Sequence, residues 1–132
     1  MIVDTSVLIA MLKKEPERAM FSDLLARNPT VVSAGTLAEM LIVAGSYAGD
    51  PGVGEVETIL RDAGAVIEPV DAQQARVVGQ AYRRYGRGSQ HPAKLNYGDC
   101  FSYALAIARD EPLLFKGDDF VHTDVRVATA EI

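Results

Sequence analysis

Acidic residues lie at four places along the chain where their carboxylates could bind a cation. Asp4 follows the β-branched segment MIV, Glu39 lies in the helical segment TLAE, and Asp99 ends the segment NYGD. Asp118 and Asp119 follow the apolar segment LLF. Hard divalent cations such as Mg²⁺ and Mn²⁺ prefer carboxylate oxygens. Such a site suits hydrolysis of a phosphodiester, because the cation activates a water and offsets charge on the leaving oxygen.

Each of these acids also has a purely structural explanation. Asp4 can be the N-cap of the helix that follows it, and TLAE reads as a capping box formed by Thr36 and Glu39. Asp99 stands three residues after Asn96, where a carboxylate favours the positive end of a helix dipole. From spacing alone, helix capping and metal binding both remain open.

The elements that must position these acids alternate between strands and helices. Short β-branched and apolar segments predict buried strands at 1–3, 30–33, 65–70, 113–115 and 125–128. Longer segments with helical periodicity predict helices at 7–12, 16–26, 36–47, 53–63, 72–85 and 99–108. This alternation predicts an α/β fold with a parallel sheet. Because ligands of such sheets bind outside the carboxyl ends of the strands, the acids are expected to converge at that edge.

Composition narrows the class of protein further. With 132 residues and 48% hydrophobic content, a single domain over residues 1–132 is expected. The net charge of −5 argues against a surface that coats nucleic acid broadly. A lone Cys100 excludes an internal disulfide and suits a reducing cytoplasm. We find neither a signal peptide nor an apolar run of membrane-spanning length, so no membrane association is expected.

Four motifs in this order carry a resemblance to a known family. The segments VDTSVL, LAEML, NYGDCFSYALA and LLFKGDDF, with TDV after the last, resemble the PIN-domain family, and most closely the VapC-type ribonuclease toxins. The likeness runs from Ile2 to about Val127. It implies a three-layer α/β/α sandwich with a central, mostly parallel sheet, and a Mg²⁺- or Mn²⁺-dependent endoribonuclease. It also implies inhibition by a cognate antitoxin protein and assembly as a homodimer.

The same resemblance assigns roles to the acids. Asp4 and Asp99 match the principal metal ligands of the family, and Glu39 matches the acid on its third helix. Asp118 is favoured over Asp119 as the fourth acid and as a further metal ligand. We therefore expect Asp4, Glu39, Asp99 and Asp118 to be the catalytic residues.

Two hydroxyl residues, Thr5 and Ser6, follow the first acid as they do in the family. There a hydroxyl steadies the acid site through a hydrogen bond, and Ser6 is preferred because a helix would turn it back toward Asp4. The alternative is a shared capping role at the first helix.

A basic segment, RRYGRGSQHPAK, precedes Asp99 in an otherwise acidic chain. Its cations are expected to hold RNA phosphates beside the acids, with Tyr82, Tyr85 or Tyr97 available to stack on a base. The alternative is a solvated helix end. The cations are Arg83, Arg84, Arg87 and Lys94.

Two other functions compete with the nuclease. The first is a catalytically weak PIN-like module that binds RNA or protein, although all the expected acids are present. The second is a phosphoryl-transfer enzyme in which an aspartate and Mg²⁺ act with a lysine, a part open to Lys116. An aspartate as early as Asp4, with a separate glutamate on a helix, fits this second function poorly.

Overall fold

A computed structural model describes residues 1–128 of the chain. Its centre is a sheet of four parallel strands in the spatial order β3-β2-β1-β4. The strands are β1 (Ile2–Val3), β2 (Val31–Ser33), β3 (Val66–Glu68) and β4 (Leu113–Leu114). The parallel α/β architecture expected from the sequence is therefore confirmed.

Five helices connect and cover the strands. They are α1 (Thr5–Leu12), α2 (Arg18–Arg27), α3 (Ala34–Asp62), α4 (Ala72–Tyr85) and α5 (Tyr97–Arg109), with a short 3₁₀ helix at Phe120–His122. Two helices predicted between residues 36 and 63 are joined in α3, which is kinked at Ala48 and Gly49. Gly49 has a φ of 62°, a left-handed conformation that glycine adopts without steric cost.

Alternating side chains of the short strands face two separate hydrophobic cores. Val3, Val32 and Leu114 pack on one face of the sheet with residues of α1, α2 and α3. The neighbouring strand residues Ile2, Val31 and Leu113 pack on the other face with residues of α4 and α5. Because successive strand residues point to opposite faces, two strand positions are enough to join both helical layers to the sheet. The result is the three-layer α/β/α sandwich that the resemblance implies.

The strand order creates a crevice at the carboxyl ends of β1 and β4. From β1 the chain proceeds outward to β2 and β3, and it later returns to place β4 on the opposite side of β1. In open α/β sheets, ligands bind where the strand order reverses in this way. Asp4 lies at this point, and its backbone amide donates to the carbonyl oxygen of Leu114 over 3.0 Å.

One predicted strand is wrong within the described residues. At 125–128 the chain makes a single bridge, between Val127 and Leu113, instead of a continuous strand. Residues 129–132 of the predicted domain lie outside the described part of the chain. Each helix within residues 1–128 is too short or too polar to span a bilayer.

Candidate active site

Asp4 is both a helix cap and the centre of a buried hydrogen-bond network. Its Oδ2 accepts from the backbone amide of Ser6 over 3.0 Å and from the Ser6 hydroxyl over 2.7 Å. Its Oδ1 accepts from the hydroxyl of Ser102 over 2.6 Å. The backbone amide of Lys116, just after β4, donates to Ser6 Oγ over 2.9 Å. The carboxylate is therefore held from α1, from α5 and from the segment that follows β4.

Ser102 and Thr36 are polar residues of this network that sequence reasoning missed. Both are buried, and their hydroxyl oxygens lie 3.1 Å apart. Because Ser102 donates to Asp4, its oxygen is left to accept from Thr36. The one local signal for Ser102 is its position three residues after Asp99, on the same face of a helix.

Glu39 lies on α3 and does not form the capping box predicted with Thr36. Helix α3 begins at Ala34 with Ser33 as its N-cap, so Thr36 and Glu39 are both inside the helix. Glu39 Oε1 instead accepts a hydrogen bond of 2.5 Å from the hydroxyl of Thr5. Burial raises the pKa of Glu39, and the charge of Asp4 raises it further, against the effect of the Thr5 hydrogen bond.

Asp99 combines a capping role with a strongly perturbed ionisation. It forms a capping box with Asn96, in which Asp99 Oδ2 accepts from the Asn96 amide over 3.0 Å. Burial raises the pKa of Asp99 to about 7, opposed by that hydrogen bond and assisted by the charges of Asp4, Asp119 and Glu39. Asp99 therefore experiences the negative charge of Asp4, Glu39 and Asp119. Perturbed carboxyl groups in a crevice are typical of catalytic sites.

Two glycines allow α3 and α5 to approach closely enough to bring Glu39 beside Asp99. A Cβ added at Gly98 would lie 1.8 Å from Glu39 Oε2, and one added at Gly35 would lie 2.4 Å from the ring of Phe101. Neither position has space for a side chain as the neighbouring atoms are arranged. A side chain at Gly35 would displace the Phe101 ring, and one at Gly98 would displace the carboxylate of Glu39.

The two acids after β4, Asp118 and Asp119, are both exposed. The charge of Asp119 is among those that raise the pKa of Asp99, whereas that of Asp118 is not. The expectation that Asp118 is the fourth acid stays a prediction. Asp119 directly precedes the 3₁₀ helix, and Phe120 anchors that helix in the core.

The side chain of Lys116 is engaged elsewhere. Its ammonium contacts the carboxylates of Glu15 and Glu17, both in the segment between α1 and α2. These contacts raise the pKa of Lys116, first through the hydrogen bond to Glu15. An ammonium paired with two glutamates is poorly placed for the phosphoryl-transfer role considered for it.

The donor chemistry of the site fits a hard divalent cation. Its acids offer carboxylate oxygens alone, and burial together with neighbouring negative charge raises the pKa values of Glu39 and Asp99, an effect that a bound cation would oppose. Within residues 1–128, no three Asp, Glu, His or Cys side chains are grouped as closely as shared ligands of one ion. Mg²⁺ commonly binds through one or two carboxylates and keeps several waters, so this spacing is compatible with it.

The predicted basic residues are all exposed on the surface. Arg83 and Arg84 form the last turn of α4, and Arg87 and Lys94 lie in the loop that leads to α5. Arg84 stacks on the ring of Tyr85, with 4.7 Å between its guanidinium carbon and the ring centre. Among residues 1–128, none of these four residues forms a hydrogen bond or an ion pair with the acids of the site.

The cysteine and His91 have structural environments. Cys100 is fully buried, and burial raises the pKa of its thiol to about 12, which disfavours the nucleophilic thiolate. The Nδ1 of His91 accepts from the amide of Ala93, and its ring packs edge-on against Tyr85.

Comparison with known proteins identifies relatives along nearly the whole chain. The PIN domain family model matches residues 1–126. Ribonuclease VapC28 of Mycobacterium tuberculosis is 50% identical over 131 residues, covering 97% of this chain and 97% of the relative. Ribonuclease VapC42 of the same organism is 48% identical over 130 residues, covering 97% and 98%.

Solved structures with low sequence identity share the fold. Mycobacterium tuberculosis VapC20, described as a sarcin–ricin loop cleaving toxin, matches with a TM-score of 0.71 at 19% identity, covering 95% of this chain and 98% of that one. VapBC2 from Rickettsia felis, bound to a promoter DNA fragment, matches with a TM-score of 0.73 at 17% identity, covering 96% and 94%. At these identities the likeness supports the fold alone.

Proposed function

Because the chain belongs to the PIN domain family, we propose that it is an endoribonuclease and the toxin of a toxin–antitoxin pair. Relatives close to 50% identical along almost their whole length are ribonucleases of the VapC type. The structural observation that carries the proposal is the pair of buried carboxylates, Asp4 and Asp99, with the carboxylate of Glu39 packed against Gly98 beside them. Burial and the charges of three neighbouring acids also raise the pKa of Asp99 to about 7. Such a concentration of carboxylates repels RNA unless a cation neutralises it.

In this proposal the enzyme uses Mg²⁺ or Mn²⁺, held by Asp4 and Asp99. Each of these carboxylates has an oxygen with an acceptor site left over after its own hydrogen bonds. Asp119 contributes the fourth acid, in preference to Asp118, because its charge acts on Asp99. When bound, the ion supplies a more acidic water and positive charge beside the scissile phosphate.

Glu39 is the general base of the proposed reaction. The Thr5 hydroxyl fixes Glu39 through Oε1 and leaves Oε2 to accept a proton from the attacking water. The raised pKa of Glu39 makes it a stronger base than an ordinary carboxylate. Water attacks phosphorus in line, and the bond to a ribose oxygen breaks. Thr5 and Ser6 are positioning residues, since each holds one of the acids through its hydroxyl.

The proposal also names partners. RNA is the substrate, and an antitoxin protein inhibits the enzyme. The antitoxin is in keeping with structural neighbours such as a toxin–antitoxin complex from Klebsiella pneumoniae, which matches with a TM-score of 0.68 at 21% identity. We further propose that the chain forms a homodimer. Sedimentation of the purified protein should give twice the mass of one chain, and a monomer at micromolar concentration would refute this part.

The decisive experiment is cleavage of a panel of folded RNAs by the purified chain, with Mn²⁺ or with EDTA. Discrete cuts that need Mn²⁺ and disappear in the Asp4→Asn variant are expected. Asp71→Asn is the matched control, because Asp71 is also an N-cap aspartate, accepting from the Gln74 amide over 2.8 Å. It makes the same chemical change at the start of α4, and it should leave cleavage intact.

The alternative outcomes separate the competing functions. Binding of RNA without cleavage by the unmutated protein would favour the module that only binds. Equal cleavage by the Asp4→Asn variant would show that these acids are not the catalytic site. Release of inorganic phosphate from small phosphoesters would instead favour phosphoryl transfer.

A further inference from the structure

An exposed aromatic surface adjoins the acids on the side of α4 and α5. A cavity of about 250 Å³ is lined by Glu39, Ile42, Tyr97 and Phe101, among others. A second cavity, of about 520 Å³, shares Tyr97 and Phe101 with the first and extends to Tyr82 on α4. The Tyr97–Phe101 pair therefore stands between the two cavities, and the surface leads from Glu39 to α4.

Tyr97 has the properties of a platform for stacking. It is the first residue of α5, two positions before Asp99, and it is 72% exposed. Its ring contacts Phe101 edge-to-face, with 5.0 Å between the ring centres and 87° between the planes. An exposed ring that an internal contact already holds loses little freedom when a base stacks on it. Tyr82, 41% exposed, offers a second ring farther along the surface.

Positive charge marks the far end of this surface. Arg76 and Arg83 line a third cavity, which shares Gly79 with the second. They are seven residues apart on α4 and therefore lie on one face of the helix, two turns apart. Among residues 1–128 neither has an ion-pair partner, although the chain carries a net charge of −5. Two exposed, unpaired guanidinium groups and exposed aromatic rings on one surface can contact the phosphates and the bases of a nucleic-acid strand, respectively.

We propose that this surface, defined by Tyr97, Tyr82, Arg76 and Arg83 and here called the aromatic groove, binds an unpaired RNA strand that continues from the scissile phosphate. The inference rests on the proposed function, because it extends the same substrate beyond the acids. Bases stack on Tyr97 and Tyr82, and phosphates contact Arg76 and Arg83. A duplex does not fit, because paired bases in a helix cannot present their faces to these rings. The enzyme therefore prefers a scissile bond in a loop or a single-stranded segment.

Binding is measured separately from cleavage. A fluorescein-labelled 12-nucleotide RNA of mixed sequence is titrated with the Asp4→Asn protein, which leaves the RNA intact, and fluorescence anisotropy is recorded. The same RNA annealed to its complement is the duplex arm. We expect the single strand to bind at least about tenfold more tightly than the duplex.

Variants of the groove assign the binding to particular residues. Tyr97→Ala should weaken single-strand binding about tenfold, and Tyr97→Phe should restore it, because stacking needs the ring and not the hydroxyl. Arg76→Ala with Arg83→Ala should weaken binding and lower the slope of log K against log salt by about one to two. Arg61→Ala, which removes an exposed cation of α3, is the matched control and should have little effect.

In the active protein, Tyr97→Ala should raise KM more than it lowers kcat. Equal affinity for the two RNAs, or undiminished binding by Tyr97→Ala, would overturn the groove. So would a change in sedimentation caused by Tyr97→Ala, because it would assign the surface to a second copy of the chain. Metal-dependent cleavage that is unaffected by Tyr97→Ala leaves the nuclease intact and refutes the groove alone. Binding that depends on Tyr97, without cleavage of any RNA, refutes the nuclease and supports the groove.

Discussion

Replacing Asp99 by asparagine should stabilise the metal-free protein at neutral pH. In the folded protein, burial and the charges of Asp4, Asp119 and Glu39 oppose ionisation of this carboxyl and raise its pKa to about 7. Asparagine is nearly the same size and keeps an oxygen that can accept from the Asn96 amide. The substitution therefore removes the charge while it preserves the capping box.

The magnitude follows from the difference in pKa between the folded and unfolded chains. The pKa of Asp99 is about 7 in the folded protein, whereas an unfolded aspartate has a pKa of about 3.9. Between these values the folded protein keeps a proton that the unfolded chain has lost, so the free energy of unfolding falls as pH rises. The fall is about 1.4 kcal/mol per pH unit and reaches about 4 kcal/mol above about pH 7. The advantage of Asp99→Asn should therefore be near zero at about pH 4, about half complete at about pH 5.5 and constant above about pH 7.

Urea denaturation of both proteins in EDTA, at intervals from about pH 4 to about pH 8.5, measures this difference. Glu111→Gln provides a control of opposite sign, because hydrogen bonds from the N-terminal ammonium and Arg109 lower the pKa of Glu111. That variant should be less stable than the unmutated protein at neutral pH. Saturating Mn²⁺ should raise the stability of the unmutated protein at about pH 8 and have little effect on Asp99→Asn. A difference between unmutated protein and Asp99→Asn that does not change with pH would refute the electrostatic reasoning.

Three further substitutions test how the site is positioned. Ser102→Ala removes a 2.6 Å hydrogen bond to Asp4. Calorimetry should show Mn²⁺ affinity lowered about 10- to 100-fold, and the free energy of unfolding should fall by about 1 kcal/mol. Unchanged Mn²⁺ affinity would contradict a positioning role for Ser102. Gly98→Ala places a Cβ only 1.8 Å from the present position of Glu39 Oε2 and should therefore displace that carboxylate. The kcat should fall about 100-fold while circular dichroism shows an intact fold. A normal kcat would show that Glu39 is not the base. Lys116→Met breaks two glutamate contacts and should leave RNA cleavage unchanged; loss of cleavage with stability retained would revive a catalytic lysine.

The parts of the fold that local pattern controls were predictable from sequence. Strands β1, β2 and β4 are short β-branched or aliphatic segments buried on both faces, which is the pattern of a parallel sheet. The segment 125–128 has a similar composition, yet it forms a single bridge at Val127. Composition indicates whether a segment can adopt an extended conformation, whereas the length of the strand it forms depends on how many residues of the neighbouring strand can pair with it. Strand β4 itself spans only Leu113–Leu114.

The convergence of Asp4, Glu39 and Asp99 was predictable from the sequence, whereas their hydrogen bonds were not. Thr36 and Glu39 have the spacing of a capping box, but α3 begins at Ala34, so this local pattern does not apply. The bond from Ser102 to Asp4 joins residues 98 positions apart, and no spacing rule reaches that distance. Likewise, the choice between Asp118 and Asp119 depends on the direction of the chain after β4, which tertiary packing of Phe120 determines.

Asp4 shows why capping and metal binding are not exclusive explanations for one residue. A carboxylate has about four acceptor sites on its two oxygens. Ser6 uses both sites of Oδ2, through its amide and its hydroxyl, and Ser102 uses one site of Oδ1. One site therefore remains on Oδ1, on a side chain whose orientation is already fixed. A carboxylate at the end of β1 can begin the helix and still offer a charged oxygen at the crevice, whereas asparagine can do the first without the second.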